Sequence, residues 1–331
     1  MTATPEPPVD RPAAIVPWAP DIALAPAPDL EAEPSGFVVL ADGDVRLHFH
    51  DWAGPGYVST GTPSRPGVLL VPGLLQPAWS WAPVARRLAT ATATVVADLR
   101  GQGLSDAPMD GYDLDTLAAD AVAVAEGSGL AARGPIVLAG HGFGAIVAAV
   151  TAARLGPGCA GLVLVDGGWE RLEATTEVDV DEFLRGLDEP PEVTRSMDAW
   201  LGDRRGFDPA TWDADQDRAA RDAVVETAAG HVVRAVRPHV VEAIVRTMFG
   251  YDAAPVLAAV EAPVTALIAL GAAENAARLA ELRRAGVARG EAGRSPIRLA
   301  GYPGIAHNLM RYRPAEVTAA ILEAASDQPD L

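Results

Sequence analysis

The sequence predicts an α/β fold: a mostly parallel sheet with helices on both faces and a helical cap inserted into it. Three observations carry this expectation. Short apolar runs alternate with helical patterns, which is how a parallel sheet covered on both faces reads. The alternation stops after Asp166 and resumes near residue 263. Finally, glycines and polar residues gather at the carboxyl ends of the apolar runs, where open parallel sheets bind ligands.

Taken in order, residues 1–35 are rich in Pro, Ala and acidic side chains and lack apolar periodicity. They read as a disordered or loosely wrapped arm, with Trp18 either a docking anchor or an exposed side chain. The first part of the core spans 36–166. Its first two strands, 37–40 and 45–50, flank the turn Ala41-Asp42-Gly43-Asp44, a hairpin signal. Apolar strands follow at 68–71, 93–97, 136–139 and 162–165, with helical patterns at 81–89, 114–125 and 143–155. The insertion, 167–262, is charged and helical, carries Trp200 and Trp212, and holds a long pattern over 217–236. It is expected to form a lid. The second part of the core, 263–331, supplies a strand at 264–270, a helix at 275–285, a strand at 297–300 and a last helix at 314–325.

Composition narrows the function classes. Of 331 residues, 49% are apolar and 21% charged, enough to bury a sizeable core. The net charge of −18 repels phosphate backbones and anionic membranes, so neither nucleic acid nor membrane is an expected partner. The 26 basic residues are all Arg, which carries no mechanism. The one cysteine, Cys159, excludes an internal disulfide and a Cys-based metal cluster and is expected to be buried. His48 and His50 alternate on an edge strand without a third ligand, so no metal and no cofactor is expected. The N-terminus has no basic n-region or continuous apolar h-region. Residues 135–153 carry no formal charge and are long enough to span a bilayer. However, Gly140-His141-Gly142-Phe143-Gly144 in their middle reads as strand, tight turn and helix. The expectation is a cytoplasmic protein, with homo-oligomerisation left open.

The strand ends carry the unusual residues. They are Pro72-Gly73-Leu74-Leu75, the segment from Asp98 to Asp106 (DLRGQGLSD), Gly140–Gly144, Asp166-Gly167-Gly168-Trp169, Gly271-Ala272-Ala273-Glu274, and Gly301 to His307. In order and spacing, from about residue 37 to 325, these motifs resemble the α/β-hydrolase family, in its cap-bearing branch of small-molecule enzymes. The segment at Asp98 is similar to D-x-R-G-x-G-x-S, Gly140–Gly144 falls on the nucleophile elbow G-x-S-x-G, and His307 on the C-terminal catalytic His. Pro72-Gly73 stands where the family usually has His-Gly.

The resemblance breaks at Gly142, where the family places Ser, Asp or Cys. Glycine has no side chain to attack with, so a covalent acyl- or alkyl-enzyme route is closed there. Glycine does adopt the strained positive-φ elbow at little cost, so the turn can keep its shape. The resemblance implies that His307 is a general acid–base, with Glu274 at the usual acid position and Asp166 at the alternative one. It also implies backbone N–H donors at Leu74 and Phe143 for an oxyanion. His141 reads as a packing or pocket-lining side chain. Trp169 and Tyr251 are candidates for an apolar pocket that takes a bulky small molecule.

Three functions compete on these residues. The first is a repurposed enzyme in which His307 and an acid transfer protons while the oxyanion hole holds an enolate, phenolate or alkoxide. Lyase, cyclisation, isomerisation, epoxide-opening or carbon–carbon bond-forming chemistry in secondary metabolism would suit it. The second is a hydrolase in which His307 activates a water in the space above Gly142. The third is a non-catalytic ligand-binding protein.

Overall fold

A computed structural model describes residues 14–52, 65–188, 193–270 and 275–326. Its strands are β1 (Ile15–Pro17), β2 (Ser35–Ala41), β3 (Val45–Asp51), β4 (Val68–Val71), β5 (Thr94–Ala97), β6 (Ile136–His141), β7 (Cys159–Val165), β8 (Val224–Glu226), β9 (Val232–Arg234), β10 (Val264–Leu270) and β11 (Ile297–Pro303). Its α-helices are α1 (Ala82–Leu88), α2 (Leu114–Gly127), α3 (Phe143–Leu155), α4 (Leu172–Thr175), α5 (Val180–Asp188), α6 (Met197–Phe207), α7 (Ala214–Asp222), α8 (Pro238–Phe249), α9 (Ala253–Ala259), α10 (Asn275–Glu291), α11 (Leu309–Tyr312) and α12 (Pro314–Ser326).

Nine strands form one sheet in the order β1-β11-β10-β7-β6-β4-β5-β3-β2. Only β2 with β3 and β3 with β5 pair antiparallel; the other pairings are parallel. The central strands are apolar at nearly every position because both faces are covered. Leu69 and Val71 of β4 enter the core beneath α2, α3, α9 and α10, while Val68 and Leu70 enter the core beneath α1 and α12. Strand β7 divides the same way, Leu162 and Leu164 against Val163 and Val165. This is the side-chain alternation of a strand with two buried faces. The uncharged run 135–153 forms β6, the turn and α3. Among the described residues no helix is long and apolar enough to cross a membrane.

Two segments differ from the sequence expectation. The pattern over 217–236 is not one helix: α7 ends at Asp222, and β8 and β9 form an antiparallel hairpin turning near Gly230, whose φ is 78°. The run is rich in β-branched valines, and with Trp200 and Leu201, Val224 and Val232 make a small separate core. The later part of the insertion belongs to the main body, since Val240 and Ile244 of α8 and Leu257 of α9 lie in the principal core.

The second difference is at the N-terminus. From Ala14 onward the expected loose arm is a strap. Strand β1 adds to the sheet edge in parallel with β11, and Trp18 N–H donates to the Leu299 carbonyl at 2.9 Å. Edge pairing uses backbone groups and needs no apolar periodicity, which is why composition does not reveal it. Further along, the buried Arg86 of α1 binds the carbonyls of Leu30 and Ala32 and the Glu33 carboxylate, at 2.9 Å for the last. The same guanidinium reaches Asp215 of α7 at 3.0 Å.

Deleting residues 14–35 therefore uncovers β11 and strips Arg86 of most of its acceptors. The expected result is a fall in melting temperature of more than about 5 °C, which for a chain of this size corresponds to more than about 1 kcal/mol. Differential scanning calorimetry of the truncated and full chains checks it.

Candidate active site

The site is assembled where β4, β6, β7, β10 and β11 end. Its first component is the turn from β6 into α3. Gly142 caps α3 with φ 53° and ψ −118°, a conformation that strains any residue with a Cβ. Gly144 is required for a different reason. A Cβ there would meet the Val71 and Pro72 carbonyl oxygens at 2.4 and 2.3 Å, so the start of α3 lies directly against the end of β4.

That packing joins the start of α3, which carries the Phe143 N–H, to the end of the strand that leads into Leu74. α3 has no side-chain cap, and among the described residues no hydrogen bond uses the N–H of Phe143 or of Leu74. The turn carrying Leu74 is held by glutamines. Gln76 Oε1 accepts the Gly73 N–H at 3.0 Å, and Gln102 Oε1 accepts the Leu75 N–H at 2.5 Å. Leu75 sits at φ 64°, unusual for a side-chain-bearing residue, and the Gln102 bond offsets that strain. Gln102 lies in the loop that buried Asp98 organises. Asp98 Oδ1 accepts the Ala78 N–H at 2.6 Å, and Oδ2 faces the Leu104 N–H at 3.1 Å and His48 Nδ1 at 2.7 Å. His48 is thus committed to Asp98, and His50 packs edge-on against His48 and Trp79.

The second component is the His–acid pair. His307 Nδ1 lies 2.5 Å from Asp166 Oδ2. Asp166 follows β7 with φ 47°, and its carboxylate is buried. Oδ1 accepts the Ala269 N–H at 2.9 Å and Arg278 Nη2 at 2.8 Å. Burial alone would raise its pKa. The His307 hydrogen bond and the Arg278 charge outweigh burial and hold the carboxyl below its ordinary range. Of the two acids the sequence leaves open, Asp166 is the one that engages His307; Glu274 lies outside the described residues. The His307 imidazole is 61% exposed, and its Nε2 faces the elbow, 3.2 Å from where a Cβ on Gly142 would stand.

His141 supports this pair from below. It is buried, with Nε2 3.0 Å from the His307 carbonyl oxygen, Nδ1 2.9 Å from Gln76 Oε1, and its ring 4.3 Å from the His307 ring. Burial and the neighbouring His307 push its pKa down to about 3, so it is neutral at neutral pH.

Trp169 and Tyr251, expected on the pocket wall, are buried in the core instead. The Tyr251 hydroxyl donates to the Gly168 carbonyl at 3.0 Å and braces the turn after β7. Four residues of the arrangement escape sequence reasoning: Gln76, Gln102, Glu170 and Arg278. Gln102 stands inside a motif that sequence singles out, so it alone had a local signal.

Two outcomes follow from this geometry. Gly142→Ser should fold but lose ~1–2 kcal/mol in urea denaturation, because a Cβ enters a positive-φ turn; the exposed His307 ring can give the few tenths of an ångström required. The second concerns acid. His141 has its folded pKa near 3 and His50 near 4, both below the unfolded value of ~6.5. The unfolded chain therefore binds protons that the folded chain excludes. Stability should fall as pH drops below ~6.5, by up to ~1.4 kcal/mol per pH unit for each group, and level off once pH passes the folded values. Urea titrations at pH 7, 6 and 5 measure the slope, and His141→Gln should flatten it.

Comparison with known proteins agrees with this architecture. Residues 68–320 match the Alpha/beta hydrolase family. The chain is 39% identical over 133 residues to N-formylmaleamate deformylase of Pseudomonas putida, covering 40% of this chain and 45% of that protein. It is 32% identical over 114 residues to Epoxide hydrolase 4 of Mus musculus, covering 34% of this chain and 29% of that protein. It thus spans less than half the length of these curated relatives. Among solved structures, E-2-(acetamidomethylene)succinate hydrolase superposes with a TM-score of 0.70 at 22% identity, over 89% of this chain and 100% of that one. The match to the family covers most of the sequence, and the chain belongs to the alpha/beta hydrolase family.

Proposed function

We propose that this protein is an enzyme that works without a covalent intermediate on a small, bulky and largely apolar molecule. His307, oriented by Asp166, takes a proton from substrate and returns it. The N–H groups of Leu74 and Phe143 hold the oxyanion that develops. The supporting observation is the 2.5 Å pair of His307 and Asp166 above an elbow residue that has no side chain. An imidazole held in one tautomer by a carboxylate is a competent general base or acid near neutral pH. In this reading the backbone N–H groups of Leu74 and Phe143 supply the stabilisation that an enolate, phenolate or alkoxide needs. Lyase, cyclisation, epoxide-opening and carbon–carbon bond-forming reactions all use these parts.

A second reading is hydrolysis, with His307 activating water above Gly142. The names of the curated relatives, a deformylase and an epoxide hydrolase, favour it. Turnover in ¹⁸O-labelled water separates the two, because hydrolysis places the label in product and proton transfer within the substrate does not.

The dyad can be tested before the substrate is known. The natural chain should not be labelled by an alkyl fluorophosphonate. Gly142→Ser should become labelled, because the new hydroxyl would stand between His307 Nε2 and the oxyanion donors. Adding His307→Ala or Asp166→Asn to Gly142→Ser should slow labelling by at least ~10²-fold, the lower end of general-base contributions. Intact-mass spectrometry reads the result, and labelling that ignores His307 would overturn the dyad. With the native substrate in hand, His307→Ala in the natural chain should cost at least the same factor.

A further inference from the structure

Behind the dyad lie two charged groups, Arg278 and Glu170, that the proposed chemistry does not itself use. Asp166 divides its two oxygens, Oδ2 to His307 and Oδ1 to Arg278. Arg278 comes from α10, and its side chain is only 18% exposed. Its Nε and Nη2 both lie against Glu170 Oε1, at 2.8 and 2.7 Å, and its guanidinium stacks over the buried Trp169 ring, 5.5 Å from the centroid. The row is therefore Glu170, Arg278, Asp166, His307, and the charges of its first three members alternate.

We propose that Arg278, clamped by Glu170, is a positioning residue that keeps Asp166 Oδ2 turned to His307 and limits how strongly that carboxylate stabilises imidazolium, so that the imidazole stays able to accept a proton. Two physical effects combine. The guanidinium occupies Oδ1 in a fixed direction, since its planar fork is also bound to Glu170 and laid on Trp169, and this fixes the carboxylate rotation. Its charge also offsets part of the field with which a buried carboxylate would stabilise imidazolium. Without Arg278, Asp166 would draw a proton onto His307 at higher pH, and a base already protonated accepts nothing. Among the described residues, the titratable groups facing His307 are Asp166 from the end of β7 and His141 from β6, with Arg278 and Glu170 behind Asp166. His141 is neutral and does not vary across the range concerned.

This inference rests on His307 being the base, but its test reads the imidazole directly and needs no substrate. The chain has six histidines. The ¹⁵N–¹H resonances of His307 are assigned by their loss in His307→Ala, and its pKa is followed by titration in the full chain. Arg278→Gln should raise that pKa by about one unit, the scale of a neighbouring like charge. Glu170→Gln should move it the other way by a few tenths, because Arg278 then acts on Asp166 with its charge unbalanced. Arg278→Lys should stay near the natural value. Opposite signs for the two neutralising variants are what a merely structural role would not give. No shift in either folded variant, or shifts of the same sign, overturns the proposal. If Arg278→Gln fails to fold, Glu170→Gln and Arg278→Lys still decide: a downward shift with a Lys value near the natural one supports the proposal, and any other pair of results refutes it. Should these shifts appear while the fluorophosphonate labelling of Gly142→Ser ignores His307, the proposed base is wrong and the charge row is still real.

Discussion

The close packing of α3 against the end of β4 is the constraint on which the rest of the site depends. Gly144 lies against the backbone carbonyls of Val71 and Pro72, and Gly167 lies so near Gly142 that a Cβ there would stand 2.6 Å from the Gly142 Cα. Three strand ends are thereby drawn into one small volume. The start of α3, with the Phe143 N–H, lies directly against the end of the strand that leads into Leu74. The end of β7 passes beneath the elbow, which is what brings Asp166 within reach of His307. The constraint is a property of backbone and glycine spacing, and it survives the absence of any side chain at residue 142.

That absence changes the energetics of the elbow more than its shape. A residue with a Cβ at φ 53° would store ~1–3 kcal/mol of strain, while glycine takes the same conformation nearly free. The strain normally serves a protruding nucleophile. Here the turn keeps its geometry, and Nε2 of His307 faces open space where a hydroxyl would otherwise stand. An exposed imidazole backed by a buried carboxylate and a buried His141 is rigid on one side and accessible on the other. A group that exchanges protons with a bound molecule needs that asymmetry.

How much of this could be read from sequence follows the range of each interaction. The central strands were legible because two buried faces leave mostly apolar residues, and the elbow because its glycines are local. His307 was legible by its place after the last strand. The choice between Asp166 and Glu274 was not, because both stand at strand ends and nothing local says which one meets His307. Asp166 is in turn held by Arg278, 112 residues away in sequence and set in an ordinary-looking helix. The strap from Ala14 was missed because edge pairing is written in backbone groups. The β8–β9 hairpin was missed because valines spaced along a short helix-like run satisfy either period until a tertiary partner selects one. Trp169 and Tyr251 follow or precede strand and helix ends as pocket residues do, yet their size is used to fill the core, and the Tyr251 hydroxyl is spent on Gly168.

The insertion has consequences for access. Asp215 of α7 accepts Nε and Nη2 of Arg86, and both side chains are largely buried. The same guanidinium holds the strap carbonyls, so one cation joins the sheet edge, the main body and the insertion. Separating α7 from the body would break this ion pair between two largely buried side chains. Arg218 of the same helix stacks over Trp79 at 3.7 Å and pairs with Glu33 at 2.8 Å, so the separation would break those contacts too. A swing of this part of the insertion is therefore an expensive way to admit a ligand. His307 is already 61% exposed with α7 in place, so a small molecule can reach Nε2 without paying that cost. The α7 region is thus tied to the body, and movement of the insertion is left to elements not tied to Arg86.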